Sequence, residues 1–184
     1  MKWNLPTCVE INGTQHNIRE KCDYRVVLDA ICALNDNELT DEEKLKCALF
    51  IFYEDISQIQ DFEVAIKEMF RIINNGEVEE EQAQAKPKLM DWEHDFKLIA
   101  PAISHILGYD VRDPEEFTHW YSWLGGYQEI GEGTFQTVVS IRSKKAKGKK
   151  LEKHEMEFYR ENRKMIDLPQ TLTKEEEELL NSEW

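Results

Sequence analysis

Apolar residues three or four positions apart recur through most of the chain after Asp23, and this periodicity is the strongest constraint on the fold. The segment "DYRVVLDAICALND" shows it first. Such spacing places the apolar side chains on one face of a helix. Later segments repeat the pattern as far as the segment "EKHEMEFYRENRKMI", and strand signals after Ile18 are weak. The periodicity therefore predicts a mainly α protein.

The N-terminal segment "VEINGTQHNI" has a different period. Its residues alternate around Asn12-Gly13, a dipeptide that favours a two-residue hairpin because both positions tolerate positive φ. The predicted fold is thus one or more multi-helix domains preceded by a short N-terminal β-hairpin.

Several polar residues stand where a helix would begin. Thr40, with Glu43 three residues later, forms the sequence of a capping box. Asp61 and Asp91 each precede a helical pattern and are candidate N-caps. These residues predict three helix starts.

Proline and glycine suggest further boundaries. Asp113-Pro114 predicts the start of the helix that carries "FTHWYSWLGGY", because proline is favoured in a first turn. Pro101 lies inside an apolar pattern and predicts a kink or break. Gly108 is a plausible helix end.

The polar segment "EVEEEQAQAKPK" divides the chain. It is acidic and almost without apolar residues, so residues 77–88 are predicted to be an acidic linker, with a polar helix extension as the alternative. The predicted division is a hairpin plus helical subdomain over 1–76, a C-terminal helical subdomain over 89–168 and an acidic tail over 169–184.

Net charge narrows the classes of partner. The formal charge is −14 and the isoelectric point about 4.8, so the chain repels phosphate backbones and anionic lipid. We therefore expect no nucleic acid as a partner. We also expect no membrane as a partner, since no apolar run approaches the roughly 20 residues of a membrane helix.

No secretory leader is recognisable at the N-terminus. The four cysteines include no close pair, and reduced thiols are expected.

The aromatic segment 117–127 admits two main interpretations. Trp120 and Tyr127 fall on one helical stripe, with Trp123 beside it. The stripe is typical of a helix packed into a core, while exposed aromatic residues would suit a groove for a partner helix. Trp120, Trp123 and Tyr127 are therefore candidate partner-binding residues if part of the helix is exposed.

Asp91, His94 and Asp95 raise the possibility of a metal site, because they would lie close together on one helical face. Helix capping and a first turn rich in acidic residues explain the same residues without a metal. No nucleophile, nucleotide-binding or zinc-protease motif is present. We therefore expect no enzyme activity, no metal and no cofactor.

A basic stretch, "RSKKAKGKKLEK", interrupts the acidic chain. It could pair with acidic segments between subunits or between halves, or form a separately solvated face. Its lysines are candidate contacts for a partner or a second subunit: Lys144, Lys145, Lys147, Lys149 and Lys150.

The second half of the chain resembles a small family of proteins from temperate, long-tailed phages of Gram-positive bacteria. The shared pattern is an Asp-Trp helix start, a His-Trp pair among aromatic residues and a closing Ile-Arg. The matching residues are Asp91, Trp92, Asp95, His119, Trp120, Trp123, Ile141 and Arg142.

The resemblance implies a non-enzymatic role in tail assembly, since members of that family lie in tail gene modules near the tape-measure gene. It implies a tail assembly chaperone in the host cytoplasm that coats the tape-measure protein and self-associates. The alternative is a structural tail or connector component that stays in the virion.

Overall fold

A computed structural model describes residues 4–77 and 87–169. These residues form one two-stranded sheet and eight α-helices, which confirms the predicted mainly α class. The elements are β1 (Cys8–Ile11), β2 (Thr14–Asn17), α1 (Tyr24–Asn35), α2 (Asp41–Phe52), α3 (Phe62–Ile73), α4 (Trp92–Leu107), α5 (Trp120–Gln128), α6 (Thr134–Ala146), α7 (Lys153–Glu161) and α8 (Arg163–Ile166).

The predicted N-terminal hairpin is present. β1 and β2 are antiparallel, with Ile11 opposite Thr14 across the turn. Asn12 and Gly13 adopt φ values of 50° and 81°, the left-handed conformation that a two-residue hairpin of this type requires. Val9 and Ile11 point into the core, so the hairpin is packed against the helices.

The three predicted helix starts and the helix end at Gly108 are confirmed. Thr40 and Glu43 form both hydrogen bonds of a capping box at α2. Asp61 and Asp91 each accept a backbone N–H in the first turn of α3 and α4. Gly108 follows α4 with φ 83°. Each of these features depends on residues within one turn, which is why the sequence could specify them.

The predicted start of the aromatic helix at Asp113-Pro114 is wrong, because α5 begins only at Trp120. The preceding backbone is extended and pairs with the segment before α1. Tyr24 N donates to Thr118 O at 2.9 Å, and Trp120 N donates to Cys22 O at 2.9 Å. These long-range hydrogen bonds keep the backbone before Trp120 extended, so the helix begins at Trp120.

α4 runs through Pro101 without a break. Pro101 is exposed, so water can reach the carbonyl of Lys97, which loses its helical partner to the proline ring. The predicted break at this position is therefore wrong, and the alternative of a kink stays a prediction.

The described residues contain two apolar clusters. The larger one joins the hairpin to α1, α2, α3, α4 and α5, and includes Phe135 of α6. The smaller one consists of Val138, Ile141 and Ile166. Residues on both sides of the predicted linker contribute to the larger cluster. The predicted domain boundaries themselves stay a prediction. Most of the predicted linker (78–86) and of the acidic tail (170–184) lies outside the described residues.

All four cysteines are free thiols. Among the helices that the structure describes, none has both the length and the apolar character needed to cross a bilayer.

Candidate partner-binding site

Trp120 and Trp123 lie in the core of the larger apolar cluster. Both side chains are fully buried. Trp123 stacks on Tyr24 with ring centroids 4.0 Å apart, and its other neighbours include Phe96 at 5.9 Å. Trp120 donates its indole N–H to Ile73 O at 3.0 Å. The two indoles therefore connect α5 to α1, α3 and α4.

The packing of these tryptophans favours the core interpretation of the aromatic segment. Neither indole reaches the surface in this conformation, so neither is placed to contact a partner. Tyr127 is half-buried, with its ring 4.9 Å from that of Trp92, and burial raises the pKa of its hydroxyl. Phe117 lies before the helix and is 52% exposed. A partner-binding role for Trp120, Trp123 and Tyr127 stays a prediction.

His119 fixes the start of α5. Its Nδ1 accepts the N–H of Tyr121 at 3.0 Å, and its Nε2 lies 2.9 Å from Pro6 O. These partners fit a neutral imidazole that is protonated on Nε2. Burial lowers the pKa of His119, and protonation of Nδ1 would remove the cap. The His119 imidazole therefore stabilises the start of α5.

Gly126 permits close contact between α5 and α4. A Cβ atom at this position would lie 2.9 Å from Cγ2 of Ile103, whereas one at Gly125 would meet nothing within 4 Å. Ile103 is itself fully buried. A larger residue at 126 would therefore require the Ile103 side chain or α4 to shift.

Arg142 forms a buried ion pair with Asp95. The guanidinium donates to both carboxylate oxygens, at 2.6 and 2.8 Å. Its other three hydrogen bonds go to the carbonyls of Leu89, Met165 and Ile166, so all five guanidinium N–H groups are used. We call Arg142, Asp95 and these three carbonyls the arginine clamp. It joins the start of α4 to α6 and α8.

In the sequence, Arg142 belongs to the basic stretch, whereas in the structure it lies in the interior. Phe135, Val138 and Arg142 are spaced as i, i+3 and i+7, so Arg142 continues the apolar stripe of α6. An arginine on an apolar stripe indicates a buried acidic partner, and this signal could have been found in the sequence. Two residues of the shared sequence pattern, Asp95 and Arg142, thus meet in space.

Asp91, His94 and Asp95 each have another structural partner. Asp91 Oδ1 caps α4 by accepting His94 N at 2.8 Å, and its Oδ2 pairs with Lys88. His94 Nε2 lies 3.1 Å from Met165 O. Within residues 4–77 and 87–169, no group of three His, Cys, Asp or Glu side chains is arranged to hold a metal ion.

The basic stretch has two parts. Lys144 pairs with Glu155 and Lys145 with Asp167, so these two lysines join α6 to α7 and to the residue after α8. Lys147, Lys149 and Lys150 are exposed and form no ion pair with another described residue. Within the described residues, the charges of these three lysines are therefore not neutralised by an ion pair, and a partner-binding role for the five lysines stays a prediction.

A protein-family model described as "Bacteriophage Gp15 protein" matches residues 1–168. No curated protein and no solved structure matches the chain.

Proposed function

The chain belongs to the Bacteriophage Gp15 protein family, and on this premise we propose that it is a non-enzymatic tail assembly chaperone. It binds the tape-measure protein in the host cytoplasm and keeps it soluble until the tail tube forms around it. The family match carries the proposal, because it makes the chain a phage protein over nearly its whole length. The resemblance of the second half to tail-module proteins supplies the particular task.

The surface suits a protein that holds an apolar client in solution. Large apolar side chains are exposed on several elements, among them Phe50 (64%), Phe62 (48%) and Phe117 (52%). The chain as a whole has a formal charge of −14. Exposed apolar side chains can contact a client, and high net charge of one sign keeps the loaded complex soluble.

The exposed lysines offer a contact of opposite sign. Lys147, Lys149 and Lys150 follow α6 and are separate from the paired Lys144 and Lys145. We assign the first three to contacts with acidic segments of the client or of a second copy of this chain, which self-associates during assembly.

Co-expression with the tape-measure protein of the same phage tests the proposal. The soluble fraction of the tape-measure protein is expected to rise when this chain is present, and the two proteins should co-purify. A variant with Lys147, Lys149 and Lys150 changed to glutamate is expected to reduce co-purification while its circular dichroism stays that of the wild type. Equal aggregation of the client with and without this chain would refute the proposal.

Mass spectrometry of purified virions separates the chaperone from a structural tail or connector component. A chaperone leaves before the particle is complete, so its peptides should be absent. Their presence at a stoichiometric level would establish the structural alternative instead.

A further inference from the structure

Two adjoining surface clefts of about 520 and 930 Å³ lie between α1 and the start of α4. Leu168 and Pro169 complete the lining of the second cleft. Cys32, Trp92 and Glu93 line both clefts, so the clefts share a wall. We call the combined feature the α1–α4 groove.

The groove has the length of a short helix. Its lining includes Tyr24, Leu28, Cys32 and Asn35, which lie on one face of α1 from its first turn to its last. α1 has 12 residues and is therefore about 18 Å long. A guest helix of about three turns would match this length.

The floor of the groove is apolar and only half-covered. Ile31, Met90, Trp92 and Phe96 line it and are partly buried against the larger apolar cluster. The Trp92 ring lies 5.8 Å from that of Trp120, so the core supports it from below. A guest that covers the exposed apolar area of this floor lowers the free energy of the complex.

Three carboxylates form the rim of the groove. Asp29, Asp36 and Glu93 line the groove, and none forms an ion pair with another residue in the parts of the chain that the structure describes. Asp29 is exposed as a residue, but partial desolvation of its carboxyl raises the pKa of that group. Burial also raises the pKa of the Cys32 thiol, and the charges of Glu93, Asp29 and Asp91 raise it further. The groove is therefore an environment of negative potential.

The cations that line the groove already have acidic partners. The pairs are Arg25 with Asp23, Lys88 with Asp91 and Arg112 with Asp110. Arg25 also donates hydrogen bonds to the carbonyls of Val111, Asp113 and Glu116. The charge left for a guest to neutralise is negative.

We propose that the α1–α4 groove binds an amphipathic helix of the client protein, with an apolar ridge on the groove floor and lysine or arginine residues beside the carboxylate rim. This inference rests on the proposed function and specifies the client surface that the chaperone takes up. An acidic or uncharged helix would cover the same floor without neutralising Asp29, Asp36 and Glu93.

Peptide binding to the full chain tests the charge requirement. The probe is a synthetic amphipathic helix with leucines along one face and lysines on both flanks. One matched control replaces the lysines with glutamates, and another has the same composition in scrambled order. We expect saturable binding of the first peptide alone, weakening as salt increases. Equal binding of the glutamate peptide would overturn the proposal.

Cys32 reports where the peptide binds. It lies in the groove and is half-buried, whereas Cys47 on α2 is exposed and does not line it. The bound lysine peptide should slow alkylation of Cys32 and leave that of Cys47 unchanged, as measured by mass spectrometry. Binding without protection of Cys32 would overturn the proposal.

A charge-neutralising variant supplies a second test. The change Asp29→Asn with Glu93→Gln alters two exposed rim residues and should weaken binding of the lysine peptide roughly 2- to 30-fold. The matched control is Glu10→Gln with Glu54→Gln, which removes the same charge at exposed positions outside the groove. Equal losses in the two variants would show a general charge effect and refute the assignment.

Two other occupants would be visible in the same experiment. Protection of Cys32 without peptide that increases with protein concentration would identify a second copy of this chain. Alkylation of Cys32 that is slow without peptide at every protein concentration, and that the lysine peptide does not slow further, would identify a segment of the chain itself. Either result overturns the proposal.

Co-expression and Cys32 alkylation together distinguish failure of the groove assignment from failure of the proposed chaperone function. If co-expression solubilises the tape-measure protein and Cys32 in that complex still reacts freely, the function stands and the groove assignment falls. If the lysine peptide protects Cys32 and the client still aggregates, the groove assignment stands and the chaperone function falls.

Discussion

The larger apolar cluster and the arginine clamp hold helices together by different physical means. In the first, five helices and a hairpin share a core that contains two fully buried tryptophans. In the second, the small cluster between α6 and α8 contains three buried apolar residues, Val138, Ile141 and Ile166, and a single guanidinium makes five hydrogen bonds. Apolar packing spreads its energy over many contacts, while the clamp concentrates it in one residue.

This difference predicts how each region tolerates substitution. An apolar core can adjust to a small loss of volume, since neighbours relax into part of the space. A buried ion pair cannot adjust to the loss of one partner, because the other charge is left without water or a counterion. The clamp should therefore be the more sensitive of the two to a single change.

The largest expected effect is at the clamp. Arg142→Ala leaves the carboxylate of Asp95 buried and unpaired, and should lower the free energy of unfolding by about 3–5 kcal/mol. Urea denaturation measures this change. The double variant Arg142→Ala with Asp95→Ala removes the unpaired charge and should be more stable than the single variant. A double variant whose loss is the sum of the two single losses would contradict the coupling.

A smaller effect is expected where α5 contacts α4 in the larger cluster. Gly126→Ala places a Cβ atom 2.9 Å from Ile103 Cγ2, and such overpacking costs about 1–3 kcal/mol. Gly125→Ala is the matched control, because its Cβ meets nothing within 4 Å. It should stabilise the helix by about 0.5–1 kcal/mol. Thermal unfolding of both variants tests the pair, and equal shifts would show that contact with Ile103 is not limiting.

His119, a polar residue beside the larger apolar cluster, should make the free energy of unfolding depend on pH. Burial lowers the pKa of His119 below its usual 6.5, so the unfolded chain binds a proton more readily than the folded one. His119 thus contributes stability that is present above about pH 6.5 and is lost as pH falls toward the folded pKa. The free energy of unfolding of wild type should decrease over this interval.

His119→Asn is the control for that prediction. Asparagine is a good N-cap and has no titratable group in this range. Its stability should depend less on pH between about pH 7 and 5 than that of the wild type. The same slope in both proteins would mean that another group titrates there.

The smallest effect is expected at an exposed ion pair with the same shortest N–O distance as the clamp. Lys46 and Glu42 are separated by 2.6 Å, as are Arg142 and Asp95, but their side chains are 71% and 78% exposed. Water screens the exposed pair, and alanine is a better helix former than lysine. Lys46→Ala should therefore leave the melting temperature close to that of the wild type. A loss comparable to that of Arg142→Ala would show that distance, and not burial, determines the strength of these pairs.

The sequence determined the features that depend on neighbours along the chain. The hairpin at Asn12-Gly13, the capping box at Thr40 and the helix end at Gly108 each depend on a few consecutive residues, and all three were predicted correctly. The apolar periodicity also determined the helical class, because the 3.6-residue repeat can be read directly from residue order.

Which residues meet depends on how the helices pack. Thr118 N donates to the carboxylate of Asp23 across 95 positions of sequence, and the backbone bridge at this point moved the start of α5 to Trp120. The ion pair of Arg142 with Asp95 spans 47 positions, and the α1–α4 groove forms from residues more than 50 positions apart. Periodicity along the chain specifies a face of each helix, and the partner of that face is fixed only when the helices pack.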